Sequence, residues 1–156
     1  MIRYVLIVVL ATALLALSIP AIQYAATENA EGQVAAEITE IETASVSLVD
    51  NEELPPAGHP RPQRTITVSL PGSSLTTQPV DTFEIDRIAD HRSRVTFLVE
   101  GRSERQVLVD APIVYENREE NRTVEIGGSG DTDLTLVLEA DPNDVPIVVV
   151  TRDRVP

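Results

Sequence analysis

The chain has 156 residues, 12 of them basic and 25 acidic, for a net charge of −13 at pH 7. Every basic residue is Arg and there is no Cys, so disulfides, thiolate catalysis and Cys-based metal sites are excluded, and no basic patch exists to neutralise nucleic-acid phosphates. Aromatic residues make up 3% with no Trp, which leaves Val, Ile and Leu to build a core and favours strands in the second half. An acidic, Lys-free composition fits molar salt, where a Debye length of roughly 3 Å removes self-repulsion. A GC-rich genome that favours Arg codons reads the same way.

From Tyr4 to Ile19 the chain carries no charge and nothing more polar than Thr12 and Ser18. As a helix those sixteen residues span about 24 Å, short of a hydrocarbon core of roughly 30 Å. Spanning therefore requires the helix to run on through Pro20 towards Ala26, with Gln23 and Tyr24 at the interface. Pro20 removes one backbone hydrogen bond and predicts a kink there. Three readings compete: a cleaved signal peptide, a buried core helix and an uncleaved anchor. Cleavage has only Ala25-Ala26-Thr27 as a weak site, and a segment apolar all round argues against a soluble core helix. The expectation is a transmembrane anchor over 1–26. No Lys or Arg lies between Arg3 and Arg61, so the positive-inside rule puts the N-terminus in the cytoplasm and the remainder outside.

Val34, Ile38, Ile41, Ala44 and Leu48 then recur at helical spacing, with Glu31, Glu37, Glu40 and Glu42 largely off that stripe. This predicts an amphipathic stalk helix over 27–50. Its stripe must bury either on the chain's own β body or against other subunits.

The order of an apolar helix, the step Ile19-Pro20-Ala21-Ile22-Gln23-Tyr24, an amphipathic helix and a β-rich region resembles type IV pilins and pseudopilins. Their N-terminal helix carries an I-P-A-x-Q-like step. The resemblance is greatest to haloarchaeal pilin-like membrane proteins. It implies packing partners among pilin-like or secretion-system subunits, reached through the N-terminal helix. Pilins carry a Glu near the start of that helix and a short leader ahead of it. Aligned on Pro20, Arg3 falls at the Glu position, and Met1 stands almost on the helix. The resemblance therefore implies a minor or accessory component better than a bulk pilin.

Residues 51–63 form a Pro-rich, extended linker that includes His59. From Arg64 the pattern alternates with period two. Strands are predicted at 65–70, 80–86, 94–100, 105–110, 112–116, 122–126, 134–138 and 145–151. Gly101-Arg102-Ser103 reads as a hairpin turn and Gly127-Gly128-Ser129-Gly130 as a flexible loop. Four β-branched residues in a row, Ile147 to Val150, predict a strand buried on both faces. The expected fold class is α+β: a long N-terminal helix, transmembrane and then amphipathic, followed by a small antiparallel β-sandwich over 64–156.

No nucleophile partners His59 or His91, and no phosphate-binding or hydrolase motif occurs. Asp131 and Asp133, and Asp141 with Asp144, are weak candidates for a hard cation held by loop carboxylates. Asn121-Arg122-Thr123 is the single N-x-[ST] glycosylation acceptor, in a turn expected outside the cell. These observations predict a non-enzymatic, single-pass membrane protein with no cofactor and no nucleic-acid partner. Membrane lipid surrounds its anchor, and its acidic β domain lies outside the cell. The alternative is an exported β-sandwich that binds a ligand, glycan or cation.

Overall fold

The computed structural model describes residues 2–56, 58–116 and 123–152. A single helix, α1, runs Ile2–Asn51 without interruption at Pro20. Eight strands follow: β1 Gln63–Leu70, β2 Val80–Ala89, β3 Arg92–Val99, β4 Arg105–Val109, β5 Ile113–Tyr115, β6 Val124–Glu125, β7 Gly130–Ala140 and β8 Pro146–Arg152. They form two four-stranded sheets, ordered β1-β7-β8-β5 and β4-β3-β2-β6. The fold is α+β, with a long apolar N-terminal helix and a small β domain.

The period-two pattern places the core. On β1, Val68 and Leu70 are buried with Ile66 packed beside them, while Thr65, Thr67 and Ser69 face outward. Outside, Thr67 Oγ1 donates to Asp133 Oδ1 at 2.7 Å, a cross-strand pair on the polar face of β1 and β7. In the other sheet Phe83 of β2 pairs directly with Phe97 of β3, and both are buried. All four residues from Ile147 to Val150 are buried, as the run of β-branched residues predicts.

The one departure from an antiparallel sandwich is β5, which joins β8 in parallel with Ile113 opposite Val148. After β4 the chain crosses from one sheet to the other, and Ser93 holds the crossing. Its buried Oγ donates to the Ala111 carbonyl at 2.7 Å and accepts from the Ile113 N–H at 2.8 Å. The Pro112 carbonyl then accepts the Val148 N–H, starting the parallel pair. Parallel neighbours need a long connection, and the chain from β5 to β8 supplies one through β6 and β7.

The second half of α1 is part of the β domain's core. Ala30, Val34, Ile38, Ile41, Ala44 and Leu48 are buried in one cluster with residues of both sheets. The helix touches β1, β7 and β8 of one sheet and β3 of the other, so it fills the side on which β1 and β4 are the sheet edges. Two of its glutamates cap backbone at those edges. Glu37 accepts the Ser69 N–H at 3.1 Å, and Glu42 accepts the Asp110 N–H just beyond β4 at 3.0 Å. Edge donors covered in this way cannot recruit a foreign strand.

The first half of α1 stands out from the β domain and meets it near Pro20 and Tyr24. Every described residue from Ile2 to Ala25 is exposed, and the segment is long and apolar enough to cross a membrane. Its aliphatic hydroxyls bond back into the helix: Thr12 Oγ1 donates to the Val8 carbonyl and Ser18 Oγ to the Leu14 carbonyl, each at 2.8 Å. Such back-bonding hides polar groups that hydrocarbon would penalise.

Candidate functional site

A polar cluster lies where the bare half of α1 meets the β domain. Tyr24, Glu28 and Glu31 follow one another at i, i+4 and i+7 and so share one helix face. The β3–β4 hairpin turn, with Gly101 at φ 81°, brings Arg102 over that face. Arg102 stacks on the Tyr24 ring, 5.3 Å from its centroid, pairs with Glu28, and reaches Glu31 at 3.6 Å. Arg105 pairs with Glu31 from the start of β4. Burial works against the Arg102 charge, but the Tyr24 hydroxyl and the carboxylates of Glu31 and Glu28 together hold its pKa above the ordinary arginine value. Two arginines against two glutamates give a neutral clamp that locks the hairpin to the helix. Exposed pairs of this kind are each worth only about 0–1 kcal/mol, so the clamp orients more than it stabilises.

A second segment closes on the same stretch of helix. The Asn29 side-chain amide donates to the Thr76 carbonyl at 3.1 Å. Gln78 and Gly101 line a shallow groove whose other wall is Pro20, Tyr24 and Thr27. The domain thus forms a collar around residues 20–31, built from the β1–β2 loop and the β3–β4 turn.

The candidate residues read from the sequence do not converge. Asp131 and Asp133 lie on β7 itself rather than in a loop, because β1 extends the pairing of that strand to Gly130 opposite Leu70. Asp133 already accepts from Thr67. Among the described residues no group of three His, Asp or Glu side chains is placed to hold a metal. His59 lines a groove with Pro55, Arg61 and Leu138, next to the β7–β8 turn, while His91 sits in the β2–β3 turn. Asn121 lies outside the described residues, as does Arg122 of its triplet. Pro20 borders the collar groove.

Asp141 has a structural task. Its Oδ1 accepts the N–H groups of Asn143 at 2.8 Å and Val145 at 3.0 Å, and its Oδ2 faces Arg87 at 3.4 Å. This ties the β7–β8 turn, where Asp144 adopts φ 59°, to the end of β2 in the other sheet. The backbone bonds from Val145 and Asn143, helped by Arg87, lower the Asp141 pKa below the ordinary carboxylate value. A depressed folded-state pKa means a contribution complete above the unfolded pKa and lost as pH falls through the folded one. Asp141→Asn should therefore lower the melting temperature at neutral pH, and the gap to wild type should close as the solution is acidified below the carboxylate range. Thermal melts of both proteins across that range check this; a constant gap would contradict it.

The collar is a set of ion pairs and side-chain-to-backbone contacts between the helix and the domain. It can position the apolar helix relative to the domain, and it can present a surface. No curated protein and no solved structure matches the chain. A family model described as a domain of unknown function, DUF7311, matches residues 1–153, so the chain belongs to that family.

Proposed function

We propose that the protein is a non-enzymatic, single-pass membrane protein that holds an acidic β domain on the outer face of a cell membrane. On this reading it serves as a minor or accessory subunit of a type IV pilus-like or secretion machine. One observation carries the reading. A continuous helix has an exposed, apolar first half and a second half that buries one face in a β domain. The bare half needs a partner along its whole length, either lipid or the helices of neighbouring subunits. The resemblance of the Ile19-to-Tyr24 step to pilin-like helices supports the second partner. The acidic, Lys-free surface supports a halophilic setting.

Orientation is tested with a cysteine introduced by His91→Cys in the otherwise Cys-free chain. A membrane-impermeant maleimide added to intact cells should label it. Labelling only after lysis would reverse the topology. Cross-linking from the helix in native membranes should recover other subunits with apolar N-terminal helices. Their absence, together with a processed domain free in the medium, would favour the exported binding module instead.

A further inference from the structure

The β1–β2 loop spends many hydrogen bonds on an unusual result. Ser74 Oγ accepts the N–H groups of Thr76 at 3.1 Å and Thr77 at 3.0 Å, the Ser74 N–H is given to the Thr77 carbonyl, and Thr77 Oγ1 donates to the Gly72 carbonyl at 2.8 Å. Asn29 pins the same loop to α1. Hydroxyl-to-backbone bonds of this kind fix a turn. At the apex of this braced turn stands Leu75, 88% exposed, more than any other large hydrophobic described, the bare helix included. Around it the sequence carries no charge from Thr65 to Val80, in a chain where charged residues make up 24%.

The position of the loop along the helix gives this a meaning. A hydrocarbon core of about 30 Å that begins at Tyr4 is filled by about 20 helical residues and ends near Gln23, and a headgroup layer of about 5–7 Å lies beyond it. Gln78 and Gly101 stand beside Pro20, Tyr24 and Thr27, which is the depth of that boundary. With the anchor fully inserted, Gln78 and Gly101 therefore stand at the headgroups, and Thr76, held by Asn29, lies about 9 Å beyond Gln23.

We propose that this end of the domain is a second membrane contact. The β1–β2 loop seats in the headgroup layer and Leu75 enters the apolar boundary, with lipid as its partner. The inference rests on the anchor reading above. Electrostatics has little part in it: the nearby arginines, Arg102 and Arg105, are already paired with Glu28 and Glu31, while Glu100 and Glu104 would repel anionic lipid. The contact is an apolar one, open to zwitterionic lipid and tolerant of molar salt.

The full chain, carrying a single environment-sensitive fluorophore at Leu75→Cys, Leu14→Cys or His91→Cys, is reconstituted at high dilution into phosphatidylcholine vesicles. Some of the lipids carry a nitroxide quencher. The expected result is blue-shifted, quenched emission at Leu75→Cys and Leu14→Cys, unchanged in molar salt, and unquenched emission at His91→Cys. Quenching at Leu14→Cys without quenching at Leu75→Cys would overturn the second contact while leaving the anchor intact. No quenching at Leu14→Cys would overturn both. Emission at Leu75→Cys that ignores the lipid quencher but shifts with protein density would assign the loop to a second copy of the chain and overturn the lipid contact.

Discussion

A chain that begins at Gln63 should not fold, whereas one that begins at Ala25 should give a cooperative, monomeric domain. The reason lies in the second half of α1. Val34, Ile38, Ile41 and Leu48 are buried at 0–2% exposure against both sheets. Full burial of such side chains is worth about 1.5–3 kcal/mol each, roughly 6–12 kcal/mol for the four. That is comparable to the whole stability of a small domain, about 5–15 kcal/mol. Without the helix, the cores of both sheets open to water along the β1 and β4 edges. The Ser69 and Asp110 N–H groups also lose their glutamate caps. Circular dichroism melts and amide NMR dispersion distinguish the two chains. A cooperative melt from the shorter chain would show that the sheets close without the helix.

Two buried serines should respond in opposite directions to the same substitution. Ser93 and Ser45 are both fully buried. The Ser93 hydroxyl serves two backbone groups at the crossing between the sheets, and Ser93→Ala strands the Ala111 carbonyl and the Ile113 N–H inside the core. Each orphaned group costs about 1–3 kcal/mol, so a loss of roughly 2–6 kcal/mol is expected, lowering the melting temperature by roughly 10 °C or more. Among the described residues the Ser45 hydroxyl has no hydrogen-bond partner. Ser45→Ala removes a desolvated polar atom and improves helix propensity, so the variant should be neutral or more stable by up to about 1 kcal/mol. Melts of both variants in one buffer check the pair. Equal losses would mean that burial alone, not hydrogen-bond service, decides these sites.

Much of this architecture is legible in the residues. Alternation locates strands such as β1, where Ile66, Val68 and Leu70 turn to the core, and the unbroken β-branched run locates β8. The stripe from Val34 to Leu48 announces a buried helix face, but spacing cannot say which surface receives it. That partner is assembled from β1, β3, β7 and β8, which are far away in the chain. The parallel pairing of β5 is invisible for the same reason, since only the tertiary crossing at Ser93 enforces it. The start of β7 reads as loop because Gly130, Asp131 and Asp133 are poor strand formers, and pairing with the β1 edge overrides that preference. The Arg102 clamp joins residues 74 positions from Glu28, beyond any local pattern. Leu75 in a run of Ser, Thr and Pro looks incidental until the loop is seen against α1 between Pro20 and Asn29.

Because α1 passes from the bare segment into the domain core with no break, the protein has mechanical properties of its own. Fifty helical residues make a rod about 75 Å long. The Pro-rich stretch follows the rod, between α1 and β1, instead of interrupting it. No loop therefore separates the domain from the bare segment. A lateral push on the sheets turns the rod within its surroundings, and a pull along the rod is borne in shear by the Val34-to-Leu48 stripe. Any subunit that grips the bare half fixes the direction in which the acidic domain faces.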